Sequence, residues 1–452
     1  MIFMRMKKLY IVFFLCLLIA GCHPGLIKEA EIEPSIAHPA IDVGLYEGPS
    51  IVVHQGKAVY TWYDPKRRLM VGSGEGVMEV SEGSPEPSLL SFNILHFDGN
   101  SLYFLFRPKG AMGEGWKYTI FRASHDGGKT LTEPVILNKG FGAMEPTIAT
   151  SGKGDVYVAW YDERNGPPDI YMNISHDYGK TWVGEICLNI RKELYKGVSV
   201  SPNILVHGNN AWVVWIDTGE KKARKLMIRS SSDSGGSWNE PEVLRSEENF
   251  YDPKIIMVNG RIIVLWNSNL PADRLQYIAK GLYSDDLGKT WHPIGDLKLT
   301  SWMQFEINPS VDSAGNIYMA IAKRDKFKIG IDNIYFTMST DRATTWTEPV
   351  RLQTNTPHHT FAILPQIASD DSGRVLVVWV DYRNIRGNIY GNFSKDFGKT
   401  WLKKEILLST MKNNANLPRI AEGGGKFYSV WFEYDDDSMK KGVARVREVQ
   451  VR

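Results

Sequence analysis

Ser175-His176-Asp177-Tyr178-Gly179-Lys180-Thr181-Trp182 decides the reading of this chain, because it recurs. It returns as Ser124-His125-Asp126-Gly127-Gly128-Lys129-Thr130, Ser231-Ser232-Asp233-Ser234-Gly235-Gly236-Ser237-Trp238 and Ser284-Asp285-Asp286-Leu287-Gly288-Lys289-Thr290-Trp291. Two further copies are Ser339-Thr340-Asp341-Arg342-Ala343-Thr344-Thr345-Trp346 and Ser394-Lys395-Asp396-Phe397-Gly398-Lys399-Thr400-Trp401. The central aspartates are 51, 56, 53, 55 and 55 residues apart. A fixed period of that length is the mark of stacked or radial units.

A second signature precedes each copy. An x-Pro-x-Ile/Val start stands at Pro49, Pro146, Pro202, Pro253, Pro309, Pro365 and Pro418, with Phe92 in one place. Ten to fifteen residues later comes an alternating strand that usually ends in tryptophan: Trp62, Trp160, Trp215, Trp266, Trp379 and Trp431. That makes eight units. In the unit at Pro146 four strands are expected: 147–150, 156–161, 169–175 and 182–188. Short strands with Gly and Asp turns mean all-β structure, and four-stranded units repeated about every 50 residues mean a β-propeller. Eight blades over residues 45–452 are expected. The last unit has room for three strands only, so a strand from the preceding segment is expected to complete its blade. Seven blades follow instead if the first and last units share one.

The repeat resembles the Asp-box, or BNR repeat, of the sialidase-like β-propellers. The resemblance implies a hairpin turn between the third and fourth strands of each blade, on the rim away from the axial site. The carboxylate of an Asx-type turn accepts backbone N–H groups, glycine supplies a left-handed angle and tryptophan buries area. Asp126, Asp177, Asp233, Asp286, Asp341 and Asp396 are therefore structural, since six equivalent acids around a ring cannot all be catalysts. They also lack the order of an EF-hand calcium loop. Ala343 replaces the glycine of its copy, so that turn is expected to be adjusted. Trp212, inside a strand, is expected to be packed.

The N-terminus reads differently. Arg5, Lys7 and Lys8 precede an apolar run, Leu9–Ala20, too short to span a bilayer. A basic start, a short apolar core and small residues describe a secretory signal. Its end, Leu18-Ile19-Ala20-Gly21-Cys22, resembles the bacterial lipoprotein signal. That resemblance implies a signal peptide over 1–21, acylation of Cys22 and a tether over 22–44. It places the protein in the bacterial cell envelope, held by its lipids. His23, where Asp would resemble the inner-membrane retention signal, points to the outer membrane. Cys187, the other cysteine outside the signal, is expected to be a small buried residue.

The chain has 452 residues, 43% hydrophobic, 12% aromatic and 23% charged, with net charge +2. Without Arg5, Lys7 and Lys8 the balance is 50 basic against 51 acidic residues. No field for nucleic acid exists. A monomer without metal or cofactor is expected, since no phosphate-binding loop, metal-ligand cluster or nucleophile elbow is present.

A propeller offers an axial mouth lined by the loops from second to third strands and from fourth strands to the next blade. Several second strands end in Trp-x-Asp (Asp64, Asp162, Asp217, Asp381), and two run on to Arg164 and Arg383. Either these Asp and Arg residues face the mouth, or Asp caps the turn and Arg pairs with it. Arg107, Arg324, Arg419, Glu145, Asp252 and the pair His358-His359 break the repeat and are candidates for that reason. Trp116, in a Gly-rich loop, and Trp302, before a first strand, are candidates for stacking on a sugar or peptide. A sialidase needs three arginines on a carboxylate, a Tyr nucleophile with a Glu, and an Asp acid/base. The Phe-Arg-Ile-Pro motif that carries the first of those arginines is absent. Phe106-Arg107-Pro108-Lys109 ends a second strand instead. No catalytic set is assigned. The leading expectation is an envelope propeller that binds a glycan or protein ligand at its axial face. The alternatives are a sialidase-like glycoside hydrolase and an envelope assembly scaffold.

Overall fold

The computed structural model describes residues 31–32, 36–40, 48–74, 76–84, 92–99, 101–107, 118–138, 143–189, 197–218, 224–247, 251–270, 273–301, 307–324, 332–354, 361–434 and 442–450. These residues form eight antiparallel sheets, each built in chain order from the inside outward. The protein is an eight-bladed β-propeller of four-stranded blades. Blade 3 is representative: Met144–Thr150, Val156–Asp162, Asp169–Ser175 and Ile186–Cys187.

The last blade closes the ring. Its chain supplies Asn414–Gly423, Lys426–Tyr434 and Gly442–Gln450. Its outer edge is completed by Glu31–Ile32 and Ile36–Ala40, both antiparallel to Gly442–Gln450. The expected strand from the segment before residue 45 is therefore present, and the seven-blade alternative falls.

The core is not central. Among the described residues eight apolar clusters each lie between two neighbouring blades. Tyr103, Leu105 and Phe121 of blade 2 meet Val156, Val158 and Trp160 of blade 3. Ile51, Tyr60 and Trp62 of blade 1 meet Val430, Phe432 and Val446 of blade 8. A middle strand has a neighbour on both faces. Its sequence is therefore apolar without alternation, as in Val-Tyr-Val-Ala-Trp over 156–160, all fully buried. The tryptophans that end the second strands are all buried, and a ring of that size contributes about 3–5 kcal/mol relative to alanine. Trp212 is also buried, and its Nε1 donates to Leu287 O of the next blade at 3.2 Å. Polar ties cross the same boundaries: Asn203 Oδ1 accepts from Ile255 N at 3.0 Å, and Ser310 Oγ from Ser369 N at 3.0 Å.

The Asp-boxes are closed hydrogen-bond units. In blade 3, Gly179 N donates to Ser175 Oγ at 2.8 Å and Ser175 Oγ to Asp177 Oδ1 at 2.8 Å. Thr181 donates its N–H to Oδ1 at 2.8 Å and its hydroxyl to Oδ2 at 2.6 Å. Tyr178 N ties the box to Gly154 O, in the turn between the first two strands, at 2.8 Å. The boxes thus lie on one face of the ring, with the first-to-second strand turns. The mouth-side turns between second and third strands lie on the other.

Burial pushes the Asp177 carboxyl up, but the Thr181 hydroxyl and N–H outweigh it, and the pKa falls from the usual 3.8 to about 2. Asp233 also falls to about 2, led by the Ser237 hydroxyl. A carboxyl whose folded pKa is depressed stabilises the fold above its unfolded value and loses that contribution as pH drops through the folded value. The urea midpoint is therefore expected to hold from pH 7 to 5 and fall steeply between about pH 4 and 2. Pairing Asp177→Asn with Asp233→Asn should shallow that fall. An unchanged slope would remove the boxes as its source.

Three local expectations need correction. The turn at Ala343 is not adjusted. Arg342 and Ala343 keep φ 57° and 69°, and Ala343 N still donates to Ser339 Oγ at 2.9 Å. Room exists for its methyl: three residues before the box serine, the preceding blade has Gly281 where others have Phe121 or Phe336. The fourth strand of blade 3 is Ile186–Cys187 alone, as short as the fourth strands Val135–Ile136, Val350–Arg351 and Ile406–Leu407 of other blades. Cys187 is exposed, not buried. Side chains alternate at this edge, and Ile186 and Leu188 take the inner positions.

Candidate functional site

The innermost strands line the axial opening, and near its mouth they are irregular. Five of them bulge at x-Pro, where the ladder slips by one residue: between Met144 and Thr147, Val200 and Asn203, Tyr251 and Lys254, Ile363 and Gln366, and Asn416 and Arg419. Proline offers no N–H to a ladder, so it suits a bulge. The residue before it is left-handed each time: Glu145 at φ 45°, Ser201 at 54°, Asp252 at 46°, Leu364 at 54° and Leu417 at 53°. That conformation is uncommon for a non-glycine residue, and strain of this kind gathers at functional sites. A bulge re-aims its side chain.

In blades 3, 4 and 5 the re-aimed residues are polar and adjacent. Ser201 Oγ donates to Glu145 Oε2 at 2.8 Å from one inner strand to the next. Glu145 is open to solvent yet ringed by protein. Burial pushes its carboxyl up, the Ser201 hydroxyl draws it down, Asp252 pushes it up again and Lys254 opposes; the net direction is up. Tyr161, paired with Met144 beside Glu145, has its phenol pushed up to about 12 by burial first, then by the negative charges of Glu145 and Glu163. Next to Asp252, Tyr251 packs edge-on to Tyr277 at 5.6 Å and lies 4.8 Å below the Arg224 guanidinium. The site holds two carboxylates, a hydroxyl, the cations Lys254 and Arg224, and flanking tyrosines.

The Trp-x-Asp motifs do other work. Trp160 Nε1 donates to Asp162 Oδ2 at 3.0 Å, and Trp379 Nε1 to Asp381 Oδ2 at 3.0 Å. Both carboxylates are fully buried, and each caps its turn through Arg164 N or Arg383 N. The Arg164 guanidinium pairs with Asp162, holds both oxygens of Glu185 at 2.6 and 3.0 Å, and lies 4.1 Å from the Tyr171 ring. Arg383 pairs with Asp381 at 2.6 Å and lies 4.2 Å from Tyr390. Asp64 holds Arg68 the same way in blade 1. Each arginine is bound within its own blade.

Arg107 is buried between blades 2 and 3. Its guanidinium donates to Ala143 O and lies 5.1 Å from the Phe92 ring. Arg419 lies on the inner strand of blade 8, where its Nη1 donates to Pro418 O at 3.3 Å. Arg324 ends the second strand of blade 6, and its side chain lies outside the described residues. Trp116, Trp302, His358, His359 and Cys22 lie outside them altogether. Among the described residues no group of three or more His, Cys, Asp or Glu could hold a metal ion. Of the residues that break the repeat, the structure brings together Glu145 and Asp252. Sequence reasoning missed Ser201 between them.

No curated protein matches the chain. Its structural neighbours include the NanB sialidase of Streptococcus pneumoniae, 10% identical, TM-score 0.41, over 92% of this chain and 94% of that one. An ulvan lyase of a polysaccharide lyase family is 11% identical, TM-score 0.48, over 92% and 95%. A Dyadobacter fermentans protein of unknown function is 16% identical, TM-score 0.41, over 69% and 95%. Residues 218–428 match the family described as BNR repeat-like domain.

Proposed function

We propose that this protein is a lipid-anchored propeller of the bacterial cell envelope that binds a glycan at its axial mouth. The observation that carries the reading is the trio Glu145, Ser201 and Asp252, set by strained bulges on three adjacent inner strands. Carboxylates accept hydrogen bonds from sugar hydroxyls. The two carboxylates share the site with Lys254 and Arg224, so the recognition proposed is of sugar hydroxyls rather than of a charged group. A signal over 1–21 and acylation at Cys22 supply the anchor.

Binding is favoured over hydrolysis. Arg107, Arg164 and Arg383 are held within the blades and form no carboxylate clamp. Tyr161 beside Glu145 is made harder to ionise, the reverse of an activated nucleophile.

The test uses the chain from residue 23 on a glycan array, with fluorogenic sialosides and other glycosides run in parallel. A glycan is expected to bind without sugar release. Glu145→Gln with Asp252→Asn should weaken binding about 10- to 100-fold, the loss of one or two charge-assisted hydrogen bonds. Wild-type binding should also weaken as pH falls through the raised pKa of Glu145. Sugar release abolished by these substitutions would establish the hydrolase instead. Binding to protein alone would favour the assembly scaffold.

A further inference from the structure

The direction of one edge strand says which face of the propeller meets the membrane. Glu31 pairs with Gln450, and Ala40 with Gly442. Gly442 in turn pairs with Tyr434 at the mouth-side end of blade 8. At the opposite end Phe427 pairs with Val449, beside the turn between the blade's first two strands. The Asp-boxes share that end in every blade that has one. The chain therefore runs along blade 8 from the box face to the mouth face, and whatever precedes Glu31 leaves from the box face.

We propose that the Asp-box face lies against the lipid surface and the axial mouth faces away from it. This rests on the anchor at Cys22. Eight residues separate Cys22 from Glu31, a reach of about 30 Å when extended. Strand Gly442–Gln450 has nine residues and spans about 30 Å between the faces. A tether of that length seats the box face on the bilayer. To turn the mouth toward it, the tether would have to climb the whole blade first. Bases and acids alternate on that face. The residue after the box glycine is an exposed lysine in four blades, Lys129, Lys180, Lys289 and Lys399, each beside a box aspartate. Asp126 lies with Lys57, Lys129, His54 and His125 in a polar groove of about 380 Å³ between blades 1 and 2. The placement therefore follows from the direction and length of the tether. The glycan site is left open to the aqueous side.

The full-length acylated chain carries the test, in a Cys187→Ser background on vesicles of phosphatidylethanolamine and phosphatidylglycerol with a headgroup-spin-labelled lipid. A fluorophore at Lys289→Cys reports the box face. One at Ile385→Cys, where the native side chain is 93% exposed on the mouth side, reports the other. Quenching is expected at 289 and not at 385, and about twenty Gly/Ser residues inserted after Pro24 should reduce it. Quenching at 385, or equal quenching at both sites on a vesicle-bound chain, overturns the orientation alone. A chain that carries no acyl groups by mass and stays free of the vesicles overturns the anchor, and the orientation with it.

Discussion

Replacing Gly398 by alanine is expected to lower the free energy of unfolding by about 3 kcal/mol. Two costs add. Gly398 has φ 79°, a left-handed angle that costs a residue with a Cβ about 1–2 kcal/mol. An added Cβ would stand 2.3 Å from Phe336 Cζ in the preceding blade. That ring cannot step aside. It is buried, packed edge-on to Trp401 at 4.8 Å and stacked on Tyr318 at 6.3 Å. Overpacking of this kind costs about 1–3 kcal/mol. The reverse change at the equivalent position, Ala343→Gly, should shift stability by less than about 1 kcal/mol. Relief of the left-handed angle there is offset by a lost buried methyl and a freer unfolded chain. Urea titrations of the two variants decide the matter. A Gly398→Ala loss no larger than that of Ala343→Gly would mean that the blades yield to their neighbours, against the wedge packing described here.

The contrast marks what the sequence reveals. Box residues repeat because the hydrogen bonds of each box are local, from Ser, Asp, Gly and Thr within seven positions, and local rules leave a period in the text. The second-strand tryptophans repeat for a related reason: every blade offers the same wedge to its neighbour. Blade number and ring closure follow from counting. The mouth does not. A residue before proline is pushed toward extended angles, so nothing in the local rule announces five left-handed residues there. Tertiary packing of the inner strands imposes them. Glu145 and Asp252 stood out only as departures from the repeat, and Ser201 did not stand out at all. The pairing of Asp162 with Trp160 was hidden for another reason. It depends on the indole turning along its own strand to the carboxylate two residues on, and a rotamer of that kind leaves no mark in the spacing. Cys187 was misread because one strand edge can carry apolar residues on both sides of an exposed position.

Asp162→Ala is expected to cost about 3 kcal/mol of stability while leaving glycan binding per folded molecule unchanged. Asp162 is fully buried and accepts from Trp160 Nε1, Arg164 N and the Arg164 guanidinium. Breaking a buried pair from one side costs about 3–5 kcal/mol, because the remaining charge stays uncompensated. Arg164 keeps Glu185 as a second partner, which places the expected value at the lower end. Asp162→Asn retains an acceptor for the indole and should cost less. Arg164→Ala makes the sharper comparison, since it leaves the Asp162 and Glu185 carboxylates facing each other without a cation. If Arg164 were a ligand clamp of the sialidase kind, its removal would abolish binding or turnover at little cost in stability. The geometry requires the opposite: a lower urea midpoint, with affinity for the glycan kept. A variant that folds as well as the parent but no longer binds would return the blade-end arginines to the site and displace the Glu145, Ser201 and Asp252 trio from its centre.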